Sequence, residues 1–379
     1  MASGFTEQAL PAWHRAVLKV GSSLLTTPEG ALTGEYAEAL AAFVTASRRA
    51  GREVVIVSSG AVAAGRGIVP PPTRSTGLSG RQALAALGQT RLVGLWQTFF
   101  EAPVAQVLLT HDDLRNRRRY LNARTTLREL LALGAIPVIN ENDTVAVDEL
   151  KLGDNDNLAA IVAALVDADV LFIASDITGL YTANPRVDPS AQAVPEVVEL
   201  TPAHLDSAGG AGTAAGTGGM RTKLEAAMKA AAAGIETVLF DGRDARCIGR
   251  LADGVLTGTR LRAPQSRLAA RKYWLRHAPA VGRISVDAGA LDALRGRGAS
   301  LLPGGVVDAT GDFARGDVIE IATDNAPFAR GIAQYAATDV RRIAKRHTRD
   351  IEAVLGYSYG ETIVHRDDLV VLPEPARTP

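Results

Sequence analysis

The sequence predicts an α/β protein in which a mostly parallel central sheet is covered by helices in a three-layer sandwich, followed by a smaller β-rich domain. Short runs of β-forming residues alternate with longer segments of helical period over the first two thirds of the chain. The chain has 379 residues, more than one hydrophobic core usually fills. Its last part contains short strands separated by glycine turns, which is typical of a second domain.

The predicted strands of the first domain are short apolar runs that alternate with segments of helical period. They cover residues 16–20, 54–58, 104–109, 136–139, 170–174 and 237–240. The first helix illustrates the intervening segments, because Tyr36, Leu40, Phe43 and Val44 recur on one face. Gly51 follows the last periodic turn and is the predicted stop of this helix.

The domain boundaries are predicted from changes in composition along the chain. Residues 1–14 form an N-terminal extension, 15–261 the first domain, 262–279 a linker, 280–372 the second domain and 373–379 a tail. Strands are predicted at 282–286, 304–307 and 313–321 of the second domain, with one helix near 338–344. Between residues 203 and 220 the chain is rich in Ala, Gly, Ser and Thr, and we expect a mobile loop there.

The charge balance, the hydropathy and the cysteine content exclude several classes of protein. Lys plus Arg and Asp plus Glu both number 41, which argues against holding nucleic acid or anionic membrane by bulk charge. Residues 1–14 contain no basic segment followed by an apolar core, and the longest apolar run, 158–166, is too short to span a membrane. The single cysteine, Cys247, excludes an intrachain disulfide and is interpreted as a buried or half-buried thiol. These features favour a cytoplasmic protein.

Two neighbouring polar runs suggest a site for a small charged substrate. Asn-Glu-Asn-Asp at 140–143 ends a predicted strand, and the run 151–157 opens an apolar helix. Open α/β sheets bind ligands at the carboxyl ends of their strands. For any single residue, the alternative is an Asp or Asn that only turns the chain or caps the helix. Seven Asp and Asn residues in two adjacent loops favour a site.

Four further segments have the composition of phosphate-binding turns. Lys19 lies at the end of the first strand and precedes a turn of small residues, and residues 57–65 repeat this arrangement at the second strand. Residues 175–181 follow another strand, and the glycine-rich run 216–223 resembles a phosphate cradle with Lys223 at its far end. Taken singly, these segments are also explained by an ordinary strand exit, by helix packing and by a flexible linker.

Several familiar signatures are absent or misplaced. The sequence contains no Gly-Lys dipeptide, which excludes a Walker A loop. A nominal dinucleotide pattern at 210–215 follows no strand, and His-Arg-Asp at 365–367 is not followed by Asp-Phe-Gly. The histidines form no pair at metal-binding spacing, so we predict no protein ligand of a metal ion.

Taken together, these segments resemble the amino acid kinase superfamily, and most closely its bacterial members that phosphorylate glutamate. The resemblance rests on Lys19, Ser-Ser-Gly at 58–60, the two polar runs, Gly-Leu-Tyr at 179–181 and Gly-Gly-Met-Arg-Thr-Lys at 218–223. It spans about residues 15–372 and implies the three-layer amino acid kinase fold, with a last part that resembles a PUA domain, a small β-barrel module. Two departures are small: Ser175 stands where threonine is more frequent, and about a dozen extra residues precede the first strand.

The resemblance implies that the chain uses ATP and Mg²⁺ to phosphorylate the side-chain carboxylate of L-glutamate, the first step of proline biosynthesis. It implies that Lys19, Lys223 and Asp156 are catalytic, and that Asp156 orients the two lysines. The residues implied for glutamate are Ser59, Asn140, Asp143, Asp154 and Asn155. The residues implied for ATP are Lys19, Ser175, Asp176, Thr217, Gly218, Gly219, Met220, Arg221, Thr222 and Lys223. A carboxylate with a pKa near ~4.3 is already ionised at neutral pH, so this nucleophile needs no general base.

Other functions stay open at the level of sequence. A relative acting on N-acetylglutamate, aspartate, carbamate or a nucleoside monophosphate fits the same motifs, although Asp143 favours a free α-ammonium over an acetylated amine. RNA binding through the PUA-like part is suggested by the basic run 341–349, but residues 280–379 hold 12 basic and 14 acidic residues, which argues against it. Lys151 fits substrate binding or a solvated loop. From the resemblance we also expect a homo-oligomer, dimer or tetramer, and feedback inhibition by proline.

Overall fold

A computed structural model gives the fold of residues 4–69, 77–146, 155–185, 187–201, 204–205, 219–264, 266, 270, 272, 275–276, 278–323 and 326–372. The chain divides into two compact units, Met1–Arg115 with Asn122–Arg267, and Asn116–Leu121 with Leu268–Pro379. None of the helices within these described ranges combines the length and the apolar character that crossing a membrane requires.

The first unit is built on an eight-stranded sheet and two small two-stranded sheets. Its strands are β1 (Gln8–Ala9), β2 (Arg15–Val20), β3 (Glu53–Ser58), β4 (Val104–Leu109), β5 (Ile136–Glu141), β6 (Val170–Ser175), β7 (Leu180–Tyr181), β8 (Ala193–Val194), β9 (Glu196–Val197), β10 (Glu236–Asp241), β11 (Val255–Leu256) and β12 (Gly258–Leu261). The helices up to β12 are α1 (Ala37–Arg49), α2 (Ala61–Arg66), α3 (Leu78–Thr98), α4 (His111–Arg115), α5 (Arg117–Ala132), α6 (Asn155–Leu165), α7 (Met220–Ala232) and α8 (Ala245–Ala252). All six strands predicted for this domain are confirmed to within two residues at each end.

The large sheet has the strand order β4-β5-β3-β2-β6-β10-β12-β9. The first six strands are mutually parallel, β12 runs antiparallel to β10, and β9 is parallel to β12. All six residues of β6 are buried, as expected for a strand covered on both faces by crossover helices. The mostly parallel sheet predicted from the sequence is therefore confirmed.

The two faces of the sheet are covered by different helices. Alternate residues of β2, including Leu18 and Val20, share one hydrophobic core with Leu40 and Phe43 of α1. On the opposite face, α6 packs against β2, β3, β5 and β6 and also against α7. Because successive side chains of a strand point to opposite faces, Lys19 points toward α6. The three layers are thus helix, sheet and helix.

Two glycines with positive φ lie in the turns on either side of β3. Gly51 follows α1 with φ +75°, so the predicted stop of this helix is confirmed. Gly60 follows β3 with φ +112°, and α2 begins at the next residue. Any other residue would be strained in this left-handed conformation. Because glycine has no side chain, the backbone at Gly60 can turn sharply from the strand into the helix.

Helices α2 and α3 cross in direct backbone contact. A Cβ atom added at Gly88 would overlap the carbonyl oxygen of Ala61 and the backbone nitrogen of Gly65. A Cβ atom added at Gly65 would in turn overlap the carbonyl group of Leu84. Since backbone atoms on both helices block the added atom, neither helix can accept a larger residue there without moving.

We expect Gly88→Ala to lower the free energy of unfolding by about 1 to 3 kcal/mol, because α3 has to move away from α2. Gly94→Ala on the same helix is the matched control, since an added Cβ there meets nothing within 4 Å. This control should leave stability unchanged or raise it by up to about 1 kcal/mol, the usual gain in helix propensity. Urea unfolding of both variants measures the difference, and equal stabilities would contradict the close crossing.

The residues before β2 are integrated into the first unit. Strand β1 pairs antiparallel with β11, and the side-chain amide of Gln8 donates to the carbonyl oxygens of Pro195 (2.8 Å) and Gly258 (3.1 Å). The ring of Phe5 makes an edge contact with Tyr181, at 5.2 Å between centroids. The segment predicted as an N-terminal extension is thus bound to the sheet edge near β7 and β8.

Cys247 lies in the first turn of α8 and is half-buried, in agreement with its interpretation as an unremarkable thiol. The side chain of Asp244 caps this helix by accepting from the backbone N–H groups of Arg246 and Cys247. Burial, followed by the hydrogen bond and negative charge of Asp244, raises the pKa of the Cys247 thiol to about 11. The thiol is consequently protonated, and poorly nucleophilic, near neutral pH.

The second unit contains a mixed five-stranded sheet with the order β14-β13-β15-β16-β17. Its strands are β13 (Gly282–Val286), β14 (Val306–Gly311), β15 (Val318–Thr323), β16 (Ala326–Ile332) and β17 (Leu369–Val371), and its helices are α9 (Ala288–Gly296), α10 (Ala337–Ile343) and α11 (Ile351–Leu355). The β13–β15 pair is parallel and the other pairs are antiparallel. Bulges next to Val286 and Ala322 increase the local bending of the sheet.

Some predicted bounds of the second unit differ from the structure. Residues 303–305 form a short 3-10 turn and the strand begins only at Val306, because Pro303 and two glycines favour a turn. The strand predicted from residue 313 begins at Val318, since Phe313 and the next residues form a turn closed by Asp317. Leu275 and Ala278, placed by prediction in the linker, pack in one apolar cluster with residues of the second unit.

Candidate active site

Four parallel strands bring their carboxyl ends to one edge of the large sheet. In the register of the sheet, Lys19 of β2 lies between Val57 of β3 and Ile173 of β6. Val57 is in turn level with Ile139 of β5. Strand β2 has β3 as its neighbour on one side and β6, which comes later in the chain, on the other. The direction in which successive strands are added to the sheet therefore reverses at β2, the strand that carries Lys19. Such reversal points are where open α/β sheets bind ligands.

Asp156 lies at the centre of this edge and holds two lysines. One carboxylate oxygen, Oδ1, is 2.5 Å from Nζ of Lys19, and the other, Oδ2, is 3.0 Å from Nζ of Lys223. The hydroxyl of Thr222 also donates to Oδ2, at 3.0 Å. The Asp156 side chain is fully buried, and the two lysine side chains are only 4% and 8% exposed. Three residues from distant parts of the chain therefore form one buried ionic cluster.

The starting turns of two helices explain how this cluster is positioned. Asp156 is the second residue of α6, where the helix dipole favours a negative charge. Lys223 is in the first turn of α7, which packs on α6. Lysine is not favoured at a helix amino terminus, so the carboxylate of Asp156 compensates its placement there.

The ionic cluster brings two lysine ammonium groups to one edge of the sheet. These groups and the carboxylate of Asp156 are shielded from water. Electrostatic contacts are stronger in such a shielded environment than in water, so ammonium groups placed there favour the binding of an anion. Lysine ammonium groups at the carboxyl ends of parallel strands are suited to phosphate groups, which also accept several hydrogen bonds.

A chain of hydrogen-bonded amides lies directly beside the ionic cluster. Nδ2 of Asn155 donates to Oγ of Ser59 (2.7 Å) and to Oδ1 of Asn140 (3.0 Å). Nδ2 of Asn140 donates to Oε1 of Gln89 at 3.0 Å. Asn155 immediately precedes Asp156, so the uncharged amide chain and the ionic cluster meet at the start of α6. This combination provides acceptors and donors for a small polar substrate next to cations for a phosphate.

The other residues predicted for the site have different placements. Ser175 is the buried last residue of β6, with Oγ 3.4 Å from a carboxylate oxygen of Asp176. The backbone carbonyl of Asp176 accepts from Arg243. Asp143 is half-buried in the turn after β5. Three predicted site residues, Asp154, Thr217 and Gly218, lie outside the described residues, as do Lys151 and most of the predicted loop at 203–220.

The glycine-rich run ends in the first turn of α7. Gly219 is the extended residue before this helix, and Met220 is its first residue. Arg221 projects from the helix surface and pairs with Glu225 at 3.0 Å. The hydroxyl oxygen of Thr222 lies 3.0 Å from Oδ2 of Asp156 and 2.9 Å from the carbonyl oxygen of Gly219, so its single hydrogen is shared between these two acceptors. Of this run, the structure brings Thr222 and Lys223 into contact with the ionic cluster.

Sequence reasoning missed two residues of α3 and one of α7 that support the site. Gln89 contacts Asn140, and Nε1 of Trp96 donates to Oγ of Ser58 at 2.9 Å. Lys229 donates to Oδ1 of Asn157 at 2.7 Å. A sequence signal exists for Gln89, because a polar residue on the buried face of a helix needs a partner. The partner itself is defined only by the packing of α3.

For single Asp and Asn residues of the two polar runs, a turn or a helix cap is the alternative to a binding role. Asn142 accepts a hydrogen bond from Thr144 within the turn after β5, in agreement with this interpretation. The side chain of Asn157 accepts a hydrogen bond from Lys229 across the α6–α7 interface. The two helices that carry Asp156 and Lys223 are thereby joined a second time. Among the described residues, no group of three or more His, Cys, Asp or Glu is placed to hold a metal ion.

The parallel sheet, with buried lysines at its carboxyl edge beside a polar amide chain, defines a class of small-molecule phosphotransferases. Residues 14–241 match the amino acid kinase family and residues 282–355 match the PUA domain. The chain is 64% identical to a glutamate 5-kinase from Xylella fastidiosa (strain 9a5c) over 377 residues, which is 98% of each chain. It is 66% identical over 362 residues to a glutamate 5-kinase from Xanthomonas campestris pv. campestris (strain 8004), covering 94% of this chain and 100% of the relative. The chain therefore belongs to the amino acid kinase family and, within it, to the glutamate 5-kinases.

Solved structures also show similarity at low sequence identity. UMP kinase from Bacillus anthracis aligns with 67% of this chain and 98% of its own length, with 14% identity and a TM-score of 0.48. The resemblance inferred from the sequence motifs is confirmed by the family matches and by the relatives of high identity, with a PUA domain behind the kinase domain.

Proposed function

We propose that this protein transfers the γ-phosphoryl group of ATP to the side-chain carboxylate of L-glutamate, forming L-glutamyl 5-phosphate and ADP on the path to proline. The observation that carries this proposal is the buried contact of Asp156 with both Lys19 and Lys223, directly beside the amide chain that begins at Asn155. The relatives named glutamate 5-kinase support the choice of substrate.

The reaction needs electrostatic help more than proton transfer. A carboxylate oxygen of glutamate attacks the γ-phosphorus, and the bond from this phosphorus to the bridging oxygen of ADP breaks. The nucleophile is already ionised at neutral pH, so no side chain has to remove a proton. Stabilising charge on the transferred group is the main task. We assign the transferred group to Lys19 and the other phosphates of the nucleotide to Lys223, with Asp156 keeping both ammonium groups in place.

We assign glutamate recognition to the amide chain and its surroundings, namely Ser59, Asn140, Asp143, Asp154 and Asn155. Both hydrogens of the Asn155 amide are used by Ser59 and Asn140. The hydroxyl hydrogen of Ser59 thus remains to donate to a substrate carboxylate. The α-ammonium group of glutamate requires acceptors, and the carboxylate of Asp143 is suited to this role.

ATP and Mg²⁺ fit this site differently. The ammonium groups of Lys19 and Lys223 fit the phosphates of ATP, and Ser175, Asp176 and the run 217–223 are assigned to the nucleotide side. Both carboxylate oxygens of Asp156 already contact cations, so this residue is not a suitable ligand for Mg²⁺. We therefore assign no protein ligand to Mg²⁺ and expect it to enter with the phosphates of ATP, which bind it together with water.

Two further properties complete the proposal. We propose that L-proline, the end product, competes with glutamate at the amide chain, because both molecules present an α-carboxylate and an α-nitrogen cation. We also propose that the chain assembles as a homo-oligomer, a dimer or a tetramer, and that RNA is not a physiological partner.

Hydroxamate formation tests the proposed reaction. The full chain is incubated with ATP, Mg²⁺ and hydroxylamine, which traps an acyl phosphate as a coloured hydroxamate. L-Glutamate is expected to give product, whereas N-acetylglutamate, L-aspartate and a mixture without ATP should give little or none. The proposed function fails if L-glutamate gives no hydroxamate or if N-acetylglutamate is the better substrate.

A further inference from the structure

Two side chains of helix α3 form hydrogen bonds with residues at the strand ends beside the amide chain. Gln89 and Trp96 are seven residues apart, two turns of helix, and therefore share one face. Gln89 bonds to Asn140 at the end of β5, and Trp96 bonds to Ser58 at the end of β3. The backbone contact of Gly88 with α2 brings this face close to both strand ends. No motif of the sequence assigns a function to α3.

Gln89 is the member of this face that touches the predicted substrate residues. It is 7% exposed, and its Oε1 accepts the hydrogen bond from Nδ2 of Asn140. Its own Nε2 makes no hydrogen bond within the part of the chain that the structure describes. Oε1 is thus the atom through which Gln89 acts on the described site.

The acceptor at Gln89 is paired with one orientation of the Asn140 amide. With Nδ2 directed at Gln89, Oδ1 of Asn140 faces Asn155 and accepts from its Nδ2. A rotation of Asn140 by half a turn would place two N–H groups opposite each other at Asn155 and two oxygens opposite each other at Gln89. The Asn155 amide would then lose the orientation in which its second hydrogen bonds to Ser59.

We propose that Gln89 is a positioning residue for glutamate recognition, acting through Asn140. This inference rests on the proposed glutamate kinase activity and adds a residue that has no contact with the ionic cluster. Gln89 holds the Asn140–Asn155–Ser59 chain in the one orientation that leaves the Ser59 hydroxyl to donate to the substrate. Its removal weakens glutamate binding and leaves the nucleotide side unchanged.

The first test compares Gln89→Met with Gln97→Met on the same helix. Methionine keeps the length of glutamine but removes the acceptor, so KM for L-glutamate is expected to rise about tenfold or more, with KM for ATP within about twofold of wild type. Gln97 is the matched control, because within the described ranges its amide bonds to backbone groups after α3, at Phe100, Ala102 and Val104. Gln97→Met should lower the thermal midpoint while both KM values stay near wild type. An unchanged KM for glutamate in folded Gln89→Met overturns the proposal.

A double-mutant cycle separates action through Asn140 from independent action. In an Asn140→Ala background, Gln89→Met is expected to change KM for glutamate by less than about twofold, because the residue through which it acts is gone. If the two effects multiply instead, Gln89 acts on the substrate independently and the proposal is wrong. Should Gln89→Met not fold, Gln89→Asn, which keeps the amide but shortens it, is measured in the same cycle. A wild-type enzyme without glutamate activity would refute the proposed function, whereas an active wild type with no cycle coupling refutes only the role of Gln89.

Discussion

Asp156→Asn is expected to lower kcat by about 100- to 1,000-fold and to destabilise the first unit. Each carboxylate oxygen of Asp156 contacts a different lysine. An asparagine has the same shape but turns one oxygen into an NH₂ group, so in either orientation one lysine ammonium meets a donor. Removing one partner of a buried ion pair costs about 3 to 5 kcal/mol of stability. Loss of one preorganised electrostatic contact with the reacting group costs about 100- to 1,000-fold in kcat. Two lysines would then lose the orientation that phosphoryl transfer needs.

Asp167→Asn is a matched control for this experiment. Asp167 also bridges two cations, with Arg124 at 2.8 Å and Arg128 at 2.5 Å. It follows the end of α6, near the amino end of β2, where Arg15 donates to the carbonyl oxygen of Val166. Its φ of 56° is well tolerated by asparagine. We expect Asp167→Asn to reduce the thermal midpoint while kcat stays within about threefold, since this ion pair lies at the opposite edge of the sheet.

Hydroxamate kinetics with L-glutamate and ATP, together with thermal unfolding, distinguish the two variants. If folded Asp156→Asn keeps more than a tenth of the wild-type kcat, Asp156 does not hold the lysines in their catalytic positions. If Asp167→Asn loses as much activity as Asp156→Asn, the loss in both variants reflects general destabilisation of α6.

The sequence predicted the site residues for which both the type of side chain and the position at the end of a strand or helix indicate a binding site. Lys19 ends an apolar strand, and the polar runs follow a strand and precede an apolar helix, so their place at one sheet edge follows from the alternation of elements. The contact of Asp156 with both lysines followed only from family resemblance. No spacing along the chain determines which carboxylate neutralises which lysine, because α6 and α7 meet through tertiary packing.

Gln89 and Asn157 illustrate what sequence reasoning lacked. Each is a polar side chain in the buried surface of a helix, and each needs a partner that packing supplies: Asn140 for Gln89, and Lys229 for Asn157. The close crossing of α2 and α3 at Gly88 depends on backbone contact, which hydrophobic periodicity does not encode. The burial of Leu275, which lies in the predicted linker, has a similar reason, because it results from packing in a cluster with Val318 rather than from local composition.

Lys19→Met is expected to reduce kcat at least a hundredfold while the protein stays folded, a different outcome from that of Asp156→Asn. After loss of Lys19, the carboxylate of Asp156 still has Lys223 and Thr222 as partners. Because this carboxylate keeps a cationic partner, we expect a smaller fall in the thermal midpoint than in Asp156→Asn. The rate falls because the transferred phosphoryl group loses its ammonium partner, and such electrostatic contacts contribute ~100-fold or more each.

Lys229→Met provides the comparison for a lysine that lies near the site but binds a neutral partner. Its ammonium group contacts the amide oxygen of Asn157 across the α6–α7 interface. We expect Lys229→Met to keep kcat within about threefold, because no charge of the ionic cluster is altered. Single-turnover measurements of hydroxamate formation at saturating ATP and glutamate report on the chemical step for both variants. A folded Lys19→Met enzyme with near-normal turnover, or a Lys229→Met enzyme that is equally impaired, would contradict the assignment of the transferred phosphoryl group to Lys19.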